Sequence, residues 1–255
     1  MSLRAIAAAL SVPLLAAVAV QQAAASEVKV LTAGAMKAVV LELVPDFERS
    51  TGHKVVVDND TAGGLARRIG GGEAFDLAII TPRVIDDLVK QGKVTALSRT
   101  DLAKVGIGVA VKEGAPKPDI STVDAFKKAL LEAKSIAYID PKAGGSSGIY
   151  FDGLLDRLGI AADVRPKAKL KSGGYVAELV ANGEAELAVH QISEILPVKG
   201  VTFVGPLPKD VQNSTIYTAA VGSAARDGAA AKALLDHLAG PAAGPVLAGK
   251  GMEKP

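Results

Sequence analysis

The chain has 255 residues, no cysteine, 29 basic against 27 acidic side chains and 4% aromatic residues. That balance lacks the basic excess of a nucleic-acid-binding protein. It also excludes disulfides as a source of stability, and with Trp absent it argues against stacked recognition of sugars or bases, which uses aromatic faces.

In the first 25 residues Arg4 is the only charge; an apolar run over 5–20 follows, then Ala23-Ala24-Ala25. This is the layout of a cleaved secretory leader, with cleavage near Ala25 and a periplasmic destination. The competing reading is a membrane anchor, but the run is short for a span of roughly 20 residues. No segment after residue 25 is long and apolar enough to cross a bilayer. Without Arg4 the charges are 28 basic and 27 acidic, a net of about +1, on a chain long enough for one large or two small domains.

The mature chain opens on a β-branched strand at 28–31, a small-residue turn Ala33-Gly34-Ala35 and a helix over 36–49 with helically spaced Val39, Val40, Leu43, Val44 and Phe47. Pro45 predicts a kink or restart in that helix, and Gly52 its end. A second strand at 55–57 leads through Asp60-Thr61-Ala62-Gly63-Gly64 into a helix at 65–69, which Gly70-Gly71-Gly72 breaks. A third strand at 75–80 is apolar apart from Asp76, as a parallel strand covered on both faces would be, and Thr81-Pro82 starts a helix to 91. Alternation of strand and helix predicts an α/β fold with a mainly parallel sheet.

Further on, the pattern predicts strands at 105–111 and 136–139 and helices at 121–134 and 149–158. Between them lies the longest small-residue loop of the chain, 141–148. A helix at 175–182 and a strand at 187–189 lead to His190-Gln191. Strands at 201–204 and 216–221 and an alanine-rich helix at 224–239 follow, and the tail from 246 shows little regular pattern. The glycine-bearing strands near 106–111 and the strand at 216–221 are candidates for crossovers between two lobes. They would divide the chain into lobe 1 at 26–107 and 217–255 and lobe 2 at 108–216.

The recurring unit is strand, small or hydroxyl-rich turn, helix, at 28–36, 55–65, 77–83 and, as a variant, 136–150. Each turn leaves N–H donors at a helix N-terminus, where the donors and the helix dipole together attract anions. Several such ends around one cleft make a small-anion receptor without a catalytic side chain.

Several segments carry a family resemblance: Thr32-Ala33-Gly34-Ala35-Met36, Leu65-Ala66-Arg67-Arg68-Ile69, Phe75-Asp76-Leu77-Ala78-Ile79, Gly148-Ile149-Tyr150, Val180-Ala181-Asn182-Gly183-Glu184-Ala185 and Leu238-Ala239-Gly240-Pro241. In that order and spacing the chain resembles the periplasmic molybdate-binding proteins of ABC importers. The resemblance implies a type II periplasmic-binding-protein fold, two α/β lobes on a hinge of two crossover strands, closing on an anion. It also implies ligand contacts at or beside Ala35, Met36, Thr61, Ala62, Thr81, Gly145, Ser146, Ser147 and His190. Family serines fall on Ala35 and Ala62 and a family tyrosine on His190. Each missing donor to a desolvated oxyanion costs about 1–3 kcal/mol. Thr61, Ser146, Ser147 and His190 are the available replacements; equally, the alanines and Met36 suit a ligand with carbon surface, such as a small carboxylate.

Gly144-Gly145-Ser146-Ser147-Gly148, between a strand and a helix, reads as a ligand loop rather than a linker, its N–H groups forming a nest. The Gly70-Gly71-Gly72 triplet reads as a surface turn, since no Gly-x-x-x-x-Gly-Lys-Ser/Thr pattern is present. His190 stands between a structural role and ligand contact. His53 and His237 read as surface or packing residues on unrelated elements, which gives a metal site little support. Arg83 reads as solvated surface or as a fork for a carboxylate, Arg67-Arg68 as an exposed face, Tyr150 as core, with Tyr175 open between core and cleft.

The sequence thus predicts a monomeric periplasmic receptor, not an enzyme, that captures a molybdate- or tungstate-like oxyanion or a small organic carboxylate and passes it to an ABC permease, without cofactor, metal or nucleic acid. The alternatives are an exported sensory or interaction protein using the same cleft, and an exported hydrolase. The hydrolase would have to pair Ser146 or Ser147 with His190, and no Gly-x-Ser-x-Gly elbow surrounds either serine.

Overall fold

A computed structural model describes residues 25–255, so the leader read from the sequence lies, except for Ala25, outside the described residues. The order of elements is β1 (Glu27–Ala33), α1 (Gly34–Thr51), β2 (Lys54–Asp60), α2 (Ala62–Gly70), β3 (Leu77–Ile80), α3 (Pro82–Lys90), β4 (Thr100–Lys112), α4 (Val123–Glu132), β5 (Ile136–Ile139) and α5 (Ser146–Arg157). Then come α6 (Ala161–Val164), β6 (Ala168–Lys171), α7 (Ala177–Ala181), β7 (Leu187–Gln191), α8 (Ile192–Ile195), β8 (Val201–Pro206), β9 (Ser214–Val221), α9 (Gly228–Ala239), α10 (Ala243–Gly249) and β10 (Met252–Glu253).

The strands run β2-β1-β3-β9-β4-β7-β5-β6, with β10 and β8 also paired to β4. β1 is parallel to β2 and β3, and β5 is parallel to β6 and β7. β9 is antiparallel to β3 and β4. The long strand β4 joins two half-sheets: Thr100 to Gly106 pair with β9, whereas Ile107 to Val111 pair with β7. We propose the boundary between the lobes at this change of partner and just before Ser214.

Strands covered on both faces are apolar throughout, as β3 (Leu77–Ile80) and β5 (Ile136–Ile139) are. Successive residues point to opposite sides of a strand. Leu77 and Ile79 accordingly join one core with α1, α9 and α10, while Ala78 and Ile80 join a second with α2 and α3. In lobe 2, Ile136 and Tyr138 pack with α4 and α5, and Ala137 and Ile139 with α7.

The described fold is the mixed α/β architecture that the sequence predicts. Two local expectations change. α1 runs through Pro45 as one helix of 18 residues. Pro45 and Leu41, whose carbonyl loses its partner, are both exposed, so water satisfies what proline removes. The tail from 246 is ordered: α10 closes on the lobe-1 core through Ala243 and Leu247, and β10 pairs with β4. Among the described residues no helix is long and apolar enough to cross a membrane.

Candidate functional site

A closed cleft lies between the lobes. Ala33, Gly34 and Ala35 line it from lobe 1, with Asn59, Asp60, Thr61 and Ala62; Ile139, Gly145, Ser146 and Ser147 face them from lobe 2, with Gly173, Gly174, His190 and Glu194. Tyr217 of β9 completes the lining, and the space inside is about 30 Å³. That is room for a water molecule or two, so a larger ligand enters only when the lobes part.

Three helices start at this cleft: α1 at Gly34, α2 at Ala62 and α5 at Ser146. The first-turn N–H groups of each have no partner within their own helix, and all three ends bring positive dipole ends to one place. At α2 the Thr61 hydroxyl accepts from the Gly64 N–H at 2.9 Å, a side-chain cap. At α1 and α5 no side chain caps the end.

The lobes also touch directly beside the cleft. The Thr61 hydroxyl donates to the Ala143 carbonyl at 2.6 Å, and the Gly63 N–H to the Gly144 carbonyl at 3.0 Å. Only glycines permit this approach. A Cβ on Gly63 would fall 2.8 Å from Gly144 Cα, and Gly144 itself has φ +83°. The glycines of the β5–α5 loop serve packing as well: a Cβ on Gly148 would lie 2.1 Å from the Ile139 carbonyl oxygen. Gln191 spans the lobes at the floor, its amide nitrogen 3.1 Å from Ser146 Oγ and 3.0 Å from Thr215 Oγ1.

The unusual chemistry is a buried ionisable pair. His190 is the penultimate residue of β7 and Glu194 lies on α8; His190 Nε2 is 3.3 Å from Glu194 Oε2, with side-chain exposures of 1% and 10%. Burial pushes the Glu194 carboxyl up to about 8. Burial, and then the nearby Lys171 charge, push the His190 imidazole down to about 3. Both shifts favour uncharged forms, as desolvation demands. Between these limits the pair holds one titratable proton, on the Glu194 carboxyl beside a neutral imidazole. His190 Nδ1 has no hydrogen-bond partner. Glu194 reaches the start of α1: a Cβ on Gly34 would fall 2.5 Å from its Oε1.

Of the residues singled out from the sequence, Ala35, Thr61, Ala62, Gly145, Ser146, Ser147 and His190 line this cavity. Met36 does not: it is 1% exposed and packs in the lobe-1 core. Thr81 caps α3 without a side-chain bond and lies outside the lining, and Arg83 is an exposed residue away from it. His53 stacks on Phe47 at 6.0 Å between ring centres, and His237 Nε2 lies 3.0 Å from the Leu43 carbonyl, so both pack lobe 1. Tyr150 donates to the Val211 carbonyl at 2.8 Å and packs against the lobe-2 core. No group of three metal-ligating side chains occurs among the described residues. Glu194, Asn59 and Tyr217 also line the cleft, and the sequence pattern singles out none of the three.

Over residues 28–253 the sequence matches the family of bacterial extracellular solute-binding proteins. The chain belongs to that family. This solute-binding protein is 35% identical over 249 residues to an aconitate isomerase from a Pseudomonas species, covering 95% of this chain and 92% of that one. It is 29% identical to the molybdate-binding protein of Azotobacter vinelandii, over 88% and 89% of the two chains. Its fold matches the solved structure of an Azotobacter vinelandii periplasmic molybdate-binding protein with a TM-score of 0.76 at 20% identity, over 89% and 99% of the two chains. The two-lobed type II periplasmic-binding architecture implied by the sequence resemblance is thereby shown.

Proposed function

We propose that this protein closes on a small organic polycarboxylate of the aconitate class and isomerises it by moving a proton. The observation that carries this reading is the His190–Glu194 pair, enclosed in a cleft rimmed by three helix N-termini. The helix ends suit carboxylate groups. Ala35 and Ala62, where a tetrahedral oxyanion would want hydroxyl donors, leave apolar surface for a carbon skeleton. The pair supplies a proton acceptor and a proton donor side by side in a buried place.

In a conjugated tricarboxylic acid, a C–H bond of the methylene carbon breaks and its electron pair enters the conjugated system. A new C–H bond then forms two carbons away, and the double bond moves between them. Unpartnered His190 Nδ1 is the acceptor on the pair and the Glu194 carboxyl the donor. The substrate gives one proton and takes one, so the pair's proton count is the same before and after. The 35% identical relative named aconitate isomerase supports this reading.

Capture for delivery to an ABC permease, with no turnover, is the second reading, favoured by membership of a solute-binding family and by the molybdate-binding relative. On either reading the protein acts outside the cytoplasm as a monomer on a small anion. Incubation with cis- or trans-aconitate, followed by chromatographic separation of the isomers, tests the proposal. Conversion that His190→Ala abolishes supports isomerisation. Thermal stabilisation by the acid without conversion supports capture, and neither effect removes the aconitate class.

A further inference from the structure

We infer that Glu194 is a proton-dependent stopper at the N-terminal end of α1: protonated, it admits and hydrogen-bonds a ligand carboxylate there, and deprotonated, it fills that anion seat itself. The inference rests on the proposal that the cleft takes carboxylates, and adds how its own acid controls entry.

α1 is 18 residues long, and its uncapped first turn opens on the cleft at Gly34 and Ala35. The Glu194 carboxyl, arriving from lobe 2, stands so close to Gly34 that any side chain there would overlap it. A carboxylate side chain of the protein and a carboxylate of a ligand compete for one set of N–H donors, and two unscreened negative charges in a buried site repel strongly. One added proton turns the competitor into a donor. His190, with Nδ1 unpartnered and the side chain 1% exposed, is a second buried polar group in the lining of the same cleft.

The other ionisable groups around the pair do not replace this function. Tyr217 of β9 and Tyr175 ahead of α7 are both pushed up by burial and stay neutral. Lys171, at the end of β6, donates to Glu178 and to the Tyr175 carbonyl at 2.5 and 3.2 Å. Asp60 accepts from the Thr61 N–H at 2.7 Å and lies 3.8 Å from Arg68. α1 presents only Gly34 and Ala35 to the cleft. The stopper therefore titrates with the His190–Glu194 pair and with no other couple.

The test has two arms. Amide ¹H–¹⁵N spectra of the protein without added ligand, taken from pH 6 to 9.5, report the seat itself. The Gly34 and Ala35 amides are expected to shift through one titration step in the parent protein and to show none in Glu194→Gln. Flat amides in the parent overturn the inference, whatever the ligand. In the second arm the Kd of trans-aconitate is measured over the same range. It is expected to weaken about tenfold per pH unit above the step in the parent, and to lose that dependence in Glu194→Gln. Binding that stays pH-independent in the parent also overturns the inference. No binding heat at any pH defeats the carboxylate reading, and the amide titration then decides the stopper alone.

Discussion

Replacing Glu194 by Gln should change the pH dependence of stability on both sides of neutrality. Unfolded, the imidazole and carboxyl titrate near their ordinary values of 6.5 and 4.5; folded, the pair keeps one proton from about 3 to about 8. Between 4.5 and 6.5 the folded and unfolded pairs hold one proton each, so this pair contributes no slope. Above 6.5 the unfolded pair loses its proton and the folded pair keeps it. The unfolded state then binds fewer protons, and stability falls as pH rises to about 8. Over 1.5 pH units, at 1.36 kcal/mol per unit, that is about 2 kcal/mol. Below 4.5 the unfolded pair gains a second proton first, and stability falls again. In Glu194→Gln only the buried imidazole remains. Its lowered value makes the variant flat above 6.5 and makes its acid decline begin near 6.5, two units earlier than in the parent. Urea unfolding at pH 5, 6.5 and 8 reads this directly, because every other titrating group is common to both proteins. Parallel profiles for parent and variant would refute the buried proton.

Gly63→Ala places a Cβ against Gly144 Cα and should hold the lobes apart, seen as a larger radius of gyration in solution scattering than the parent; an unchanged radius would mean that the contact does not hold the lobes together. Ala35→Ser with Ala62→Ser adds two hydroxyls to the cleft, each worth about 1 kcal/mol to a tetrahedral oxyanion, so molybdate should bind roughly tenfold or more tighter by calorimetry while aconitate gains little. Phe151→Ala, at a fully buried lobe-2 core position, should cost about 3–5 kcal/mol in urea unfolding without changing which ligands bind.

The strand–turn–helix units are legible because each joins a β-branched run to a small-residue turn, and that local pattern is enough to bring Ala35, Thr61, Ala62 and Ser146 to the cleft. Met36 shows the limit of the same reading. It directly follows the turn, but α1 already begins at Gly34, and one step around the helix from Ala35 turns Met36 into the core. Glu194 is not legible. α8 is four residues long, too short for periodicity, and the carboxyl belongs to the cleft only because α8 and α1 meet there through the tertiary fold. The spacing His190-x-x-x-Glu194 is the one trace it leaves in the sequence, and it straddles a strand end, where helical spacing carries no meaning. The Gly63–Gly144 contact is likewise hidden: each glycine reads as a turn on its own, and their function lies in meeting across 81 residues of chain.

The central claim is proton transfer within a closed cleft. The most direct measurement is ¹H NMR of cis-aconitate with catalytic protein in D₂O. Growth of the trans isomer is expected, with deuterium appearing at the carbons that exchange, and loss of both in His190→Ala. Neither interconversion nor deuterium uptake over many hours, with the acid demonstrably bound, would contradict it and leave a receptor that captures without reacting.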